Sequence, residues 1–384
     1  MPPTQPPLST ILPPLICGTA TFNNQYNTDV SSLPTNAIIT RALSLGVSAF
    51  DTSPYYGPSE TLLGTALSAA KYPRHSYQIL TKVGRIASSE FDYSPEWIRY
   101  SIQRSLQRLR TKYLDVAYCH DVEFVTPSEV LTAVKELRRI RDVEGTIKYV
   151  GISGYPVPLL CELAELVLKE TGEALDAVMS YANFTLQNEG LKGGLERLKR
   201  AGVGCVPNAS PLGMGLLRSK GVPVGGKGDF HPAPKELRRR VAEAARWIEK
   251  KGEKLEVVSI RWGLETWARE GATVGGVGGI GVSVMGVSNL DELEETMRVW
   301  NSVLDGLPVP GREVAKEERE WSLERRKAVD KLANGVWKIL GEWKDYAWPS
   351  PDDGYVNIRV VKGVVDDLAP MPVVKDDLSK VSRL

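Results

Sequence analysis

Apolar residues recur along the chain in short runs, each followed by a polar or Gly/Pro-rich turn and then by an amphipathic stretch. The runs are Leu15-Ile-Cys-Gly18, Ser48-Ala-Phe-Asp51, Tyr77-Gln-Ile-Leu-Thr-Lys82, Asp115-Val-Ala-Tyr-Cys-His120, Tyr149-Val-Gly-Ile-Ser153, Ala177-Val-Met-Ser180, Val203-Gly-Cys-Val-Pro207 and Val282-Ser-Val-Met-Gly286. Their length and turn boundaries predict strands. Between them a 3.6-residue period predicts helices over 35–45, 59–70, 95–110, 127–142, 157–171 and 190–200. Two more are expected over 234–251 and 255–269, and another beginning near Asn289. Ser94-Pro95-Glu96 gives one helix an N-cap, a proline in its first turn and an acid, and Thr126-Pro127 repeats the device. Strands alternating with helices make right-handed βαβ units and a parallel sheet. Eight such units favour closure, so the expected fold class is α/β, a (β/α)8 TIM barrel with extra helices and a C-terminal extension.

An open doubly wound sheet is the rival. Gly276-Val-Gly278-Gly-Ile-Gly281 has the spacing of its phosphate-binding fingerprint, yet a helix and loop precede it and a strand follows. The segment therefore reads as a turning loop. The pattern changes near residue 309, which divides the chain into a barrel over 1–309, its first ten residues expected to be disordered, and an extension over 310–384. Within the extension, 311–343, with Trp321, Trp337 and Trp343 among many charges, predicts one or two long helices that pack an apolar stripe against the barrel. From Trp348-Pro-Ser-Pro-Asp-Asp onward the chain is Pro-broken, and either wraps the barrel surface or hangs partly free.

Composition narrows the partners. With 48 Lys and Arg against 47 Asp and Glu, no global field draws in nucleic acid or an anionic membrane, so an anionic ligand must be held locally. No run is long enough to span a bilayer, and the Pro-rich start lacks the form of a secretory signal. Cys17, Cys119, Cys161 and Cys205 form no CxxC pair, as expected of reduced, buried thiols in a cytoplasmic protein. The closing Ser382-Arg383-Leu384 approximates a peroxisomal address, which keeps that compartment open as the second reading. No metal site is expected. The helical pattern carries no interface signature, leaving monomer or homodimer.

Catalytic groups of such barrels sit at the carboxyl ends of different strands. By this parse Asp51 ends the second strand, Tyr56 follows in its loop, Lys82 ends the third and His120 the fourth. Each alone has an ordinary structural explanation, as a loop tyrosine, a hydrogen-bonded histidine or a buried ion pair. Together they make a proton-transfer device: Asp51 holds Lys82, the ammonium is expected to lower the pKa of Tyr56, and His120 orients a reacting oxygen. No side chain supplies redox chemistry, so hydride transfer would require a bound cofactor.

Asp51-Thr-Ser-Pro-Tyr55-Tyr56-Gly-Pro-Ser-Glu60, followed in order by Leu80-Thr-Lys82-Val-Gly84, the His120 and Ser153 strand ends and Ser210-Pro-Leu-Gly-Met-Gly-Leu-Leu217, resembles the motifs of the aldo-keto reductase superfamily over roughly residues 10–305. The resemblance implies NAD or NADP at the barrel mouth, with Ser153 and Ser180 near the nicotinamide, Ser180 standing where many members carry Gln. It also implies that Ser210, Leu212, Gly213 and Gly215 cover the pyrophosphate and that Gly286, Ser288, Asn289 and Glu295 surround the adenosine end. The acids of Asn289-Leu-Asp-Glu-Leu-Glu-Glu295 suit ribose hydroxyls better than a 2′-phosphate, which favours NAD. The motif wording is most similar to a branch that oxidises D-arabinose- or L-galactose-type aldoses to lactones. A broad NADPH-dependent aldehyde or ketone reductase and a nicotinamide-sensing regulatory subunit are the alternatives. Tyr55, Tyr118, Asp121 and Phe184 are the candidate substrate residues.

Overall fold

Eight parallel strands hydrogen-bond in chain order and the first pairs with the last, closing the sheet into a barrel. The computed structural model describes residues 5–27, 29–222, 228–274 and 277–363. The strands are β1 (Leu15–Gly18), β2 (Ala49–Asp51), β3 (Gln78–Val83), β4 (Leu114–His120), β5 (Ile147–Gly154), β6 (Ala177–Tyr181), β7 (Asn208–Ala209) and β8 (Ser283–Gly286). Around them run α1 (Thr35–Ser44), α2 (Ser59–Ala70), α3 (Pro95–Arg108), α4 (Pro127–Arg139), α5 (Val157–Thr171), α6 (Leu195–Arg200), α7 (Lys235–Glu249), α8 (Leu255–Glu270) and α9 (Leu290–Asp305), followed by α10 (Lys316–Leu340). Ser94 caps α3, and Thr126 with Glu129 forms a reciprocal capping box at α4.

The seventh strand departs from the sequence reading. Ladder pairing begins only at Asn208, beyond the expected 203–207. Cys205 and Pro207 still offer carbonyls to Val178 and Ser180 at 3.0 and 3.2 Å, but Pro207 has no N–H to return, so regular pairing waits for the next residue. The Gly-rich segment does turn: Gly278 and Gly279 adopt φ of 66° and 74° in a short 3-10 stretch before β8. Gly276 lies outside the described residues.

Strand alternation sorts side chains between two cores. Ile16, Leu80, Val116, Tyr149 and Val284 point inward, while Ile79, Ala117, Cys119, Val150 and Ile152 pack against the helical shell. All four cysteines are buried and unpaired. The disorder expected for the first ten residues does not hold from Gln5 onward. Leu8 and Leu12 seal the barrel interior from its amino-terminal side, and the Tyr149 hydroxyl donates to the Pro6 carbonyl at 2.6 Å.

Helix α10 docks on α7, α8 and α9. A Cβ on Gly335 would lie 2.1 Å from the Trp247 ring, so glycine there lets the two helices close. Arg261 sits between Glu265 (2.8 Å) and the Ser322 hydroxyl (2.9 Å), tying α8 to α10. The stripe on α10 is Val329, Ala333, Val336 and Leu340; Trp337 and Trp343 pack beside it, but Trp321 is 57% exposed and takes no part. Residues beyond 363, including Ser382-Arg383-Leu384, lie outside the described part. No described helix is long and apolar enough to cross a membrane. If Leu8 is a plug, Leu8→Ala should lower unfolding free energy by about 2–5 kcal/mol, measured by chemical denaturation; a free amino terminus would leave it unchanged.

Candidate active site

At the carboxyl ends of β2 and β3 the Lys82 ammonium donates to Asp51 Oδ1 at 2.6 Å and to the Thr52 carbonyl at 3.0 Å. Only 3% of the Lys82 side chain and 6% of Asp51 meet solvent. Burial opposes charge on Lys82, yet Asp51 and Tyr56 beside it outweigh that effect and hold its pKa above the ordinary lysine value. The same burial pushes the Asp51 carboxyl up, against the pull of Lys82.

Tyr56 lies over this pair, its ring centroid 4.9 Å from Lys82 Nζ and 5.8 Å edge-on from His120. The sequence therefore places all four groups together, but one expectation about them is overturned. Burial pushes the Tyr56 phenol above its ordinary value of 10; Lys82 pulls against it without prevailing, while Asp51 and Asp121 reinforce the rise. Tyr56 keeps its proton in the free protein. His120 is neutral, because burial pushes its imidazole down to about 3 and Lys82 and Arg85 add to the fall against the pull of Asp121. Its Nδ1 contacts the Ser53 hydroxyl at 3.1 Å, and the Tyr93 hydroxyl donates to its carbonyl at 2.6 Å. Gly84, at φ 95°, makes room for Tyr93, whose ring would stand 1.9 Å from a Cβ there.

Of the four candidate substrate residues, two face the cavity and two do not. Tyr55 and Asp121 line it, joined by a residue the sequence reading passed over: Arg85 lies 3.8 Å above the Tyr55 ring, donates to its hydroxyl at 3.0 Å and forms an ion pair with Asp121. Only its position, three residues after Lys82, offered a signal. Tyr118 faces inward but one layer below His120, fully buried against Gly151, so it cannot meet a substrate. Phe184 is buried outside the barrel wall, its centroid 4.8 Å from Trp267 and 5.6 Å from Trp262.

The cavity, about 830 Å³, continues from Tyr56 and His120 to the start of α9. Ser153 lines its inner part; Ser210, Leu212 and Gly215 line its middle. Gly213 lies just behind that loop, its carbonyl 2.8 Å from His231 Nε2. Ser210, Gly213, Met214 and Gly215 all have positive φ, from 54° to 96°, which folds this segment into a tight succession of turns. Gly286, Ser288 and Glu295 line the far end. Two expected cofactor residues turn away: Ser180 points outward on β6, accepting from Asn183 Nδ2 at 3.0 Å while Met179 and Tyr181 face the cavity, and the Asn289 side chain caps α9. The acids after Asn289 are also not alone, since Arg218 pairs with Glu292, and Lys220, Lys254 and Arg298 line an adjoining recess.

The extension reaches the site as well. Trp348 stacks on Tyr155 at 4.8 Å, Ser350 Oγ donates to Glu123 Oε1 at 3.0 Å, and Tyr355 meets the Phe124 ring edge-on at 4.9 Å. Residues 348–355 thus form a strap along one cavity wall. Beyond it, Asn357 bonds both backbone groups of Phe91, at 3.1 and 2.8 Å, and Arg359 pairs with Asp92 at 3.0 Å. Glu123 beneath the strap is buried, which with the charge of Asp121 pushes its carboxyl up to about 8.

The aldo/keto reductase family model matches residues 14–306, and the chain belongs to that family. It is accordingly an oxidoreductase that works with a nicotinamide cofactor. It is 44% identical over 286 residues to the D-arabinose 1-dehydrogenase of Saccharomyces cerevisiae, covering 73% of this chain and 81% of the relative. The L-galactose dehydrogenase of Arabidopsis thaliana is 33% identical over 277 residues, covering 70% and 83%. Among solved structures, the glycerol dehydrogenase AKR11B4 from Gluconobacter oxydans superposes with a TM-score of 0.59 at 20% identity, covering 90% of this chain and 97% of that one, which supports the fold.

The raised Glu123 acid has a thermodynamic signature. From its ordinary 4.5 to about 8 the unfolded chain gives up this proton while the folded one keeps it, so its contribution to stability falls as pH rises and levels off above 8. The stability of Glu123→Gln relative to the native protein should therefore climb between pH 5 and 8 and then stay level. Thermal unfolding across that range measures it, and a constant difference would refute the shift.

Proposed function

We propose that this chain oxidises an aldose of the D-arabinose or L-galactose type at its anomeric carbon to the lactone, with NAD as cofactor. The observation carrying this reading is Tyr56, half-buried over the Lys82 ammonium and against neutral His120 at the inner end of a long cavity. The likeness to two relatives named as sugar dehydrogenases supports the choice of substrate. The cavity is continuous from these residues to α9 and carries polar groups along its length, which suits an elongated dinucleotide. Ser153 would hold the carboxamide, the loop from Ser210 to Leu217 the pyrophosphate, and Gly286, Ser288 and Glu295 the adenosine end. When bound, the nicotinamide supplies the hydride acceptor.

In this reaction the C1–H and O–H bonds of the cyclic sugar break and a lactone carbonyl forms. Tyr56 takes the hydroxyl proton. Lys82 stabilises the phenolate that this role requires, Asp51 fixes Lys82, and an N–H of neutral His120 donates to the anomeric oxygen. Tyr55, Asp121 and Arg85 would meet the remaining hydroxyls. The barrel over 1–309 is read as the catalytic body, the extension over 310–384 as an addition whose described part, as far as residue 363, buttresses and straps the barrel, and the cytoplasm as the compartment.

A second reading has its own support. A phenol is protonated near neutral pH and burial holds Tyr56 further in that form, so the resting site is an acid suited to reducing a carbonyl with NADPH. Initial rates on a panel of pentoses, hexoses and aldehydes with each cofactor separate the two, with aldose oxidation by NAD expected to dominate. For oxidation, kcat/KM, which reports groups of the free enzyme, should rise across pH 7–10 without a plateau. Tyr56→Phe should lower it by at least about 100-fold. A level pH profile, or an active Phe variant, would remove Tyr56 from the mechanism.

A further inference from the structure

The imidazole of His120 is flanked on both of its nitrogens. On the side away from the cavity, the fully buried Ser53 hydroxyl lies 3.1 Å from Nδ1, and its oxygen already accepts the Tyr55 N–H at 3.1 Å. On the cavity side, Nε2 lies 3.6 Å from Asp121 Oδ2, too far for a hydrogen bond but near enough for the charge to act on it. Asp121 has a left-handed backbone, φ 55°, uncommon for a residue with a side chain. Arg85 pairs with that same Oδ2 and is itself braced on the Tyr55 hydroxyl at 3.0 Å.

A neutral imidazole carries one N–H, and the nitrogen that bears it is set by what the other nitrogen meets. With the proton on Nδ1, the Ser53 oxygen would receive a second N–H, while its own hydrogen, sealed from solvent, would have no acceptor among the described residues. Nε2 would at the same time turn a lone pair on the Asp121 carboxylate. With the proton on Nε2, Ser53 donates to Nδ1 and the N–H faces a negative charge. We infer that Ser53 and Asp121 fix His120 in the tautomer with its proton on Nε2, aimed into the cavity, and that Arg85 holds Asp121 back from taking that N–H for itself. Ser53 is thus a positioning residue that acts on the reaction through His120. The inference rests on the proposed role of His120 as donor to the reacting oxygen, because in the other tautomer Nε2 can only accept and competes with Tyr56 for the hydroxyl proton.

Nitrogen-15 spectra of the histidine-labelled protein test it, with only three histidines to resolve. Native His120 should show one neutral form protonated on Nε2, with Nδ1 displaced by a hydrogen bond. In Ser53→Ala the Nδ1 resonance should move to the position of an unbonded nitrogen and a form protonated on Nδ1 should appear. Asp121→Asn should enlarge that form, since its amide oxygen stays on Arg85 and its N–H faces Nε2. Ser53→Ala should also lower kcat about tenfold on the fastest substrate of the panel, with the cofactor Kd within about twofold, and Ser53→Thr, which keeps the hydroxyl, should restore both spectrum and rate. Thermal unfolding verifies that each variant is folded, and the native spectrum tests the tautomer even where one is not. A native His120 protonated on Nδ1 would overturn the inference. So would an Nδ1 resonance unchanged in Ser53→Ala, even with a lowered rate, since loss of the Tyr55 turn alone would give that result. A changed tautomer with an undiminished rate would remove the positioning role. The spectra are taken on the free protein, so they stand whether the substrate proves to be an aldose or an aldehyde.

Discussion

A lysine sealed inside a barrel wall keeps its charge only with an anion in contact, and the 2.6 Å bond between Lys82 and Asp51 meets that condition. Much of the site follows from this pair. It fixes a cation beneath Tyr56, helps keep His120 neutral, and joins adjacent strands at the rim where the loops meet. The pair is not arranged for stability alone: the second oxygen of Asp51 is buried with no hydrogen-bond partner among the described residues. Buried ion pairs often contribute little net stability compared with apolar packing, so what this one provides is a charge held at a defined point.

The barrel's two-residue alternation decides which side chains can use that charge. On β3 and β4, Lys82 and His120 point inward at the top layer, while Tyr118, two residues below His120, is closed off beneath them. On β6 the same rule turns Met179 and Tyr181 toward the cavity and Ser180 away. The strap then completes a wall that no strand provides. It is held at one end by Trp348 on Tyr155 and at the other by Tyr355 on Phe124, so the cavity wall is built from the extension as well as from the barrel loops.

The strands and the four central residues were legible because they depend on local sequence: apolar runs, turn residues and motifs at strand ends. What escaped depends on contacts between distant segments. Arg85 gains meaning only from Tyr55, 30 residues before it, and Asp121, 36 residues after it. The Pro-broken stretch from Trp348 reads either as wrapping the surface or as hanging partly free; its described part packs on the barrel, but nothing in its own residues reveals the Tyr155 and Phe124 rings that receive it. The pKa of Tyr56 was misjudged for a related reason. A neighbouring cation is visible in a motif, whereas burial, here the larger effect, is a property of the whole fold.

The dependence on the buried pair is tested most directly by a double-mutant cycle on unfolding free energy with Asp51→Asn, Lys82→Met and the combination. Each single change leaves an unpaired polar or charged group inside the barrel and should cost about 3–5 kcal/mol, while the double change should cost clearly less than their sum. Losses that add to within about 0.5 kcal/mol would show that the two residues are not coupled and would contradict the account.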